Sequence, residues 1–285
     1  MCTLLVTPNL DDISHALASP SFLQRGTHGV TVHKVRMNNV LRETSPWGFM
    51  NVTEKNDWEH PDEDQWPSIY VAHAHSPTGH TYGKHPAVVR RVSPDNGYEL
   101  TGFLWHNGQV VNQPYDRWDT QDIAEGLLYE DLPTVNGIIT PSNLIDWGSL
   151  DSIEGTFACV FAVMITHKAR FTNVSQGALF FFRNAMSPLV YRDVDVAVSA
   201  ERDGSVNPNK RLLIDKDRHN YIGSVPLAGH EKQVKNIQKN VVYSIAPVMK
   251  ELMGNTRTLE LSKDDMVLAA NQETTIENMY NPYGV

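Results

Sequence analysis

The run Gly155-Thr156-Phe157-Ala158-Cys159-Val160-Phe161-Ala162-Val163-Met164 constrains this chain more than any other stretch. It is apolar at odd and even positions alike, so a strand here has no face left for water and must be covered on both sides. Cys159 sits inside it and reads as core rather than as a reactive thiol. Residues 178–184, 188–191 and 194–199 follow at short intervals, and together with the first run they predict four strands of an antiparallel sheet. Residues 204–213 read as polar and turn-rich, 240–245 as one more strand, and Pro247 to Gly254 as a short helix. Residues 274–285 have little to bury and are expected to fray.

A chain of 285 residues can form one large domain or two small ones. No internal repeat and no long linker asks for the second, so residues 2–250 are expected to form one domain and 251–285 a partly irregular extension. Hydrophobic residues at 41% and charged residues at 20% suit a soluble globular protein. A net charge of −9 argues against binding a nucleic-acid backbone, which needs clustered Lys and Arg to displace counterions. The two cysteines cannot make a disulfide framework or a four-thiolate zinc site, and a reducing, cytoplasmic compartment is expected. There is no signal-peptide pattern and no apolar run near the ~20 residues that span a bilayer. The sequons at Asn51 and Asn173 are therefore read as chance.

Chemistry enters at the N-terminus. Cys2 precedes a β-prone run, Thr3-Leu4-Leu5-Val6. A residue as small as Cys2 permits removal of Met1, which would leave thiol and free α-amine on one residue. With a thiol near ~8.5 and an amine near ~7.7–8.0, the amine can take the thiol proton at neutral pH and hand it to a leaving group. The plainer alternative is a small buried residue opening a strand.

Residues 11–17 suggest a short helix, and 22–32 a loop feeding a second strand, with Arg25 either a surface charge at a turn or a brace for a site near the first strand. Residues 47–67, rich in Pro, Asp, Asn and Trp, read as a long loop whose acidic residues Glu59, Asp62, Glu63 and Asp64 face solvent. The next strand ends in Ala72-His73-Ala74-His75-Ser76-Pro77-Thr78-Gly79. His73 and His75 are two apart and could share a face and a metal ion, but no carboxylate falls between His73 and His85, and no metal or other cofactor is expected. A buried strand from Leu100 to Trp105 runs into His106-Asn107-Gly108. Asn-Gly reads as a hairpin turn, or as a side-chain amide and a bare backbone N–H aimed at an oxyanion, where one donor is typically worth ~3 kcal/mol. Asp119-Thr120 then opens a helix, with Ile123, Leu127 and Leu128 on one face. Asp119 either caps that helix or also faces a bound ammonium.

Taken in order, these landmarks resemble the glutaminase domain of the class II, N-terminal-nucleophile glutamine amidotransferases. That family begins its mature chain with Cys, as Cys2 would. Leu23-Gln24-Arg25-Gly26 through Gly29 is similar to its Leu-x-x-Arg-Gly loop, and Ala72-His73-Ala74-His75-Ser76-Pro77-Thr78 to its Ala-His-x-Arg-x-x-Thr segment, with His85-Pro86 at the family's His-Pro. His106-Asn107-Gly108 with Asn112, Asp119-Thr120, Gly155-Thr156-Phe157-Ala158, Arg183 to Leu189 and Ser199-Ala200-Glu201 supply the remaining matches over residues 2–201. The resemblance implies an α+β fold: a four-layer α-β-β-α N-terminal-nucleophile hydrolase sandwich with two mostly antiparallel sheets between helices. It implies that Cys2 attacks the side-chain amide of glutamine, that Asn107 and Gly108 hold the oxyanion, and that Asp119 binds the substrate ammonium. His73, His75, Thr78 and Arg25 are carried over as substrate-binding positions.

One departure bears on the substrate. The family's carboxylate-clamping Arg is His75 here, and an always-charged bidentate fork is replaced by a ring that is charged only when its pKa is raised. Arg25, Lys84 or a protonated His75 beside Asp119 could supply the cation, or the amide could belong to another molecule. The ~80 residues after Ser205 are few for an ammonia-consuming domain. The acceptor is then a separate synthetase chain, or there is none. Three alternatives follow: an amidohydrolase of a different amide, a binding module that retains the fold without the chemistry, and a metal hydrolase built on His73 and His75.

Overall fold

The computed structural model describes residues 2–26, 28–38, 48–54, 68–76, 84–93, 97–112, 117–130, 144–167, 175–184, 187–192, 195–198, 210–214, 221–240 and 242–247. The chain opens with β1 (Thr3–Thr7), α1 (Leu10–Ala18), α2 (Pro20–Leu23), β2 (Val30–Asn38), β3 (Gly48–Glu54) and β4 (Ser68–Ala74). β5 (Ala87–Val92), β6 (Tyr98–Val110), α3 (Asp119–Leu127) and a 3-10 turn (Trp147–Ser152) follow. The remainder is β7 (Gly155–His167), β8 (Ser175–Arg183), β9 (Val190–Arg192), β10 (Asp195–Val198), β11 (Lys210–Ile214), β12 (Tyr221–Gly223), β13 (Lys235–Asn236) and β14 (Tyr243–Pro247).

These strands make two sheets. One runs β5-β6-β7-β8-β14-β11-β10 and the other β3-β2-β4-β1-β12-β9-β13, with β11 and β14 the parallel pair in an otherwise antiparallel ladder. The sheets are joined where β3 also pairs with β8, through Gly48↔Gly177 and Phe49↔Gln176. At Gly177 a Cβ would lie 2.6 Å from the Val163 carbonyl oxygen and 2.7 Å from the Met50 sulfur, so the join requires a residue without a side chain.

Alternation along the strands sorts the apolar residues into three cores. Leu4, Val6, Val71, Trp105, Val160 and Phe181 fill the space between the sheets. Leu5, Ala72 and Tyr221 pack outward against Ile13 and Ala16 of α1 and Phe22 of α2. Phe161, Val163 and Phe180 pack outward against Ile123 and Leu127 of α3 and Trp147 of the 3-10 turn. The result is the α-β-β-α sandwich that the resemblance implies. β7 accounts for it most directly: Phe157, Cys159, Phe161 and Val163 face α3, while Ala158, Val160 and Ala162 face the other sheet. Trp147 meets Phe161, Phe180 and Phe182 edge-on with ring centroids 6.5, 5.2 and 5.6 Å away, contacts worth about 0.5–1.5 kcal/mol each beyond burial.

Several expectations are corrected. β3 lies inside the stretch read as loop, because apolar Met50 and Val52 alternate with polar Asn51 and Thr53 even though Pro and Asp crowd the residues after them. β6 continues through Asn107-Gly108 to Val110, paired residue by residue with β7, so this Asn-Gly is no hairpin turn. β9 leaves its neighbours in sequence for β12 and β13, and β11 occupies the end of the segment read as polar. Residues 248–285, and with them the expected helix after Pro247 and the extension from 251, lie outside the described residues. Among the described residues no helix is long and apolar enough to cross a membrane.

Candidate active site

β1 is an inner strand, flanked by β4 and β12, and Cys2 stands immediately before it with 7% of its surface exposed. Its Sγ lies 3.6 Å from the Ser76 carbonyl oxygen and accepts from the Ser76 N–H at 3.5 Å. Burial pushes the thiol pKa up, against the Ser76 N–H and the α-ammonium of the chain, which lower it; the Asp119 carboxylate adds to the rise. At neutral pH the sulfur is therefore a thiol that needs a base before it can attack.

The histidines gather beside it. His73, fully buried in β4, donates from Nε2 to the His106 carbonyl oxygen at 3.0 Å, and desolvation lowers its pKa to about 3. Its Nδ1 is left as a buried acceptor without a partner among the described residues. His75 lies just past β4, half-buried, with its backbone bonded to the loop before β2: its N–H donates to the Gly29 carbonyl oxygen at 2.9 Å and its carbonyl accepts from His28 at 3.0 Å. Gly29, at φ +109°, takes a backbone conformation that side chains disfavour. Burial lowers the His75 pKa and the neighbouring His28 lowers it further, against the Asp119 carboxylate. The ring is neutral at pH 7. His85 stacks on His73 at 3.8 Å between ring centroids and meets His75 at 5.0 Å. One ligand atom each from Cys2, His75 and His85 lie within 4.8 Å of one another. Among the described residues the metal-capable group is thus Cys2, His75 and His85, whereas the pair weighed as an alternative from sequence was His73 and His75.

On the facing sheet, Asn107 is 2% exposed and its Nδ2 donates to Ser224 Oγ at 3.0 Å. The same oxygen accepts from the Leu4 N–H at 3.1 Å, and the Ser224 N–H returns a bond to the Leu4 carbonyl at 2.9 Å. Ser224 therefore ties the Asn107 amide to the strand that carries Cys2. Gly108 is required by close approach, since a Cβ there would collide with the Thr156 carbonyl oxygen.

Asp119 opens α3, where its Oδ1 accepts from the Thr120 N–H at 2.7 Å and its Oδ2 from the Val110 N–H at 3.3 Å. The carboxylate is thereby fixed to the end of β6 as well as to its own helix. Its charge reaches Cys2, His75 and His106. His106 is buried, with Nε2 3.4 Å from the Thr156 carbonyl oxygen and Nδ1 3.2 Å from Thr120 Oγ1. A carbonyl can only accept, so Nε2 carries a proton, while the Thr120 hydroxyl donates to Asp119 Oδ1 at 3.3 Å. Desolvation lowers the His106 pKa, opposed by Asp119.

Of the residues expected from sequence, Cys2, His75 and Asp119 share one electrostatic neighbourhood, and Asn107 is bonded through Ser224 to β1, the strand that follows Cys2. Arg25 lies in the turn after α2, in the loop that bonds the His75 backbone; among the described residues no hydrogen bond or ion pair places its guanidinium at the thiol. Thr78 lies outside the described residues. Asn112 serves as a clasp, donating to the Ser152 carbonyl and accepting from the Glu154 N–H. Ser224 had no local signal, being 220 residues from the strand it bonds. His85 was singled out in sequence as the family's His-Pro position, but its contact with His73 appears only in the fold.

No family model and no curated protein matches the chain. Two solved structures are similar to it. One is described as the allosteric regulatory enzyme of purine biosynthesis, with 14% identity, a TM-score of 0.42 and coverage of 85% of this chain and 46% of that one. The other is described as a predicted glutamine amidotransferase from Pseudomonas aeruginosa, with 14% identity, a TM-score of 0.31 and coverage of 85% and 96%. The chain thus spans about half the length of the first.

Proposed function

We propose that the chain is an N-terminal-nucleophile amidohydrolase that cleaves the side-chain amide of glutamine through a Cys2 thioester. Removal of Met1 frees the α-amine of Cys2, which takes the thiol proton that burial otherwise retains. The sulfur attacks the amide carbon, a C–S bond forms, and the C–N bond breaks as the amine returns the proton to the departing ammonia. Water then releases glutamate and restores the thiol. Asn107 has a second Nδ2 proton beyond the one given to Ser224, and it acts with the Gly108 N–H on the oxyanion. Asp119, with a quarter of its side chain exposed, receives the substrate ammonium. Ammonia passes to a separate synthetase chain or to solvent.

The observation that carries this reading is the shared hydrogen bond at Ser224, which couples the Asn107 amide to β1 two residues from Cys2. The experiment is direct: the chain with a verified N-terminal Cys2 is incubated with glutamine, and glutamate and ammonia are measured. Stoichiometric release that Cys2→Ala abolishes supports the reading. No release rejects glutamine.

A second reading keeps the mechanism and changes the amide. It is favoured by His75, a neutral ring where a carboxylate clamp is expected. Cys2-dependent hydrolysis of an amide lacking an α-carboxylate, with glutamine inert, would select it.

A further inference from the structure

We propose that Cys2, His75 and His85 form a three-ligand site for a zinc-class divalent ion, and that the ion, by taking the thiolate, holds the nucleophile out of reaction. The metal site stands on geometry alone; its inhibitory role rests on the amidohydrolase reading.

One sulfur and two ring nitrogens lie within 4.8 Å of one another. A tetrahedral ion with bonds of about 2.0–2.3 Å holds its ligands about 3.3–3.8 Å apart, so closing the set asks for roughly 1 Å of movement. His75 is the member best able to supply it, being half-buried where Cys2 and His85 are almost wholly enclosed.

An independent feature points the same way. His85 is 3% exposed, and its Nδ1 has no hydrogen-bond partner among the described residues. A buried, unsatisfied ring nitrogen costs about 1–3 kcal/mol, which coordination would remove. The ring is held rather than loose: it stacks on His73 at 3.8 Å and meets Trp118 edge-on at 5.1 Å. Such fixing of a ligand ring by its surroundings is what metal sites rely on.

The donor set names the class of ion. One thiolate and two imidazoles select zinc, cobalt or copper over magnesium or calcium, which want oxygen. A dication on these ligands carries one net positive charge, and the Asp119 carboxylate lies close enough to act on both Cys2 and His75. Three protein ligands leave a fourth position for water. With the sulfur lone pair engaged by the ion, attack on an amide carbon cannot begin.

The test uses cobalt as a visible probe. The full chain, stripped with chelator and dialysed, is titrated with Co²⁺. One equivalent is expected to give tetrahedral ligand-field bands and a thiolate-to-cobalt charge-transfer band. Cys2→Ser is expected to lose the charge-transfer band. His85→Gln is expected to weaken binding by at least the roughly 10–100-fold lost when a supporting residue is removed, while His15→Gln on α1 binds as the parent does. Melting curves accompany each variant; should His85→Gln not fold, His75→Gln takes its place with the same expectation. Absence of the charge-transfer band, its persistence in Cys2→Ser, or unchanged affinity in the histidine variant overturns the site. In the ammonia assay equimolar Zn²⁺ is expected to stop glutamine hydrolysis and chelator to restore it; loss of activity on chelation overturns the inhibitory role. A chain that binds cobalt as described yet never hydrolyses glutamine refutes the hydrolase reading and leaves the metal site standing.

Discussion

At Cys2 the thiol is almost enclosed and burial raises its pKa, so its proton must be taken by a base that sits within the enclosure. On the proposed reading the α-amine that removal of Met1 would free is such a base, and masking it is expected to remove activity as completely as removing the sulfur. Asn107 is the residue to truncate next: Asn107→Ala is expected to lower kcat for ammonia release by about 10²–10³ with KM for glutamine little changed, the pattern of a group that acts in the transition state. His75 separates the two substrate readings. Its neutral ring binds a carboxylate weakly at pH 7, and His75→Arg, which adds a permanently charged fork, is expected to lower KM for glutamine. An unchanged or raised KM in steady-state assays would show that no carboxylate binds there.

At the scale of elements, β1, β6 and the segment after β12 meet at one hydroxyl. Ser224→Ala leaves the Leu4 N–H and an Asn107 proton without their acceptor and is expected to cost about 1–3 kcal/mol in urea denaturation, with a fall in kcat beside it. Burial of histidine between the sheets sets a second expectation. Desolvation holds His73 near a pKa of about 3 and His33, edge-on to Trp105, near about 4. Both lie below the ~6.5 of an unfolded chain, so between these values the unfolded state binds more protons. Their contribution is fully present above ~6.5 and drains away as the pH falls towards 4 and then 3. Denaturation midpoints measured from pH 7.5 down to pH 4 should therefore decline steeply, and His33→Gln should shallow the decline. How much of this was legible depended on distance along the chain. The apolar run of β7 at odd and even positions alike, the Asp119 start of α3 and the candidate nucleophile could each be read locally. β3 was hidden because its short alternation is followed by residues that favour loops, and β6 was cut short because Asn-Gly is also a turn signal.

For the whole molecule, three apolar cores hold two sheets between two helical layers, and the site lies where the inner faces of both sheets meet. The resemblance carried by the ordered motifs implied that architecture, while the contacts that assemble the candidate site, Ser224 to Leu4 and His85 to His73, exist only once the sheets are stacked. The packing also predicts where the fold is least tolerant: Phe161→Ala, at full burial against Trp147, should destabilise by about 3–5 kcal/mol in thermal or chemical unfolding. The central claim, that the residue at position 2 is both nucleophile and N-terminus, is tested most directly by peptide mass spectrometry of the chain quenched in acid during incubation with glutamine. The account predicts an N-terminal peptide that begins at Cys2 and carries a glutamyl group on its sulfur, glutamine less one ammonia. A peptide that retains Met1, or one with a free thiol while ammonia accumulates, would contradict it.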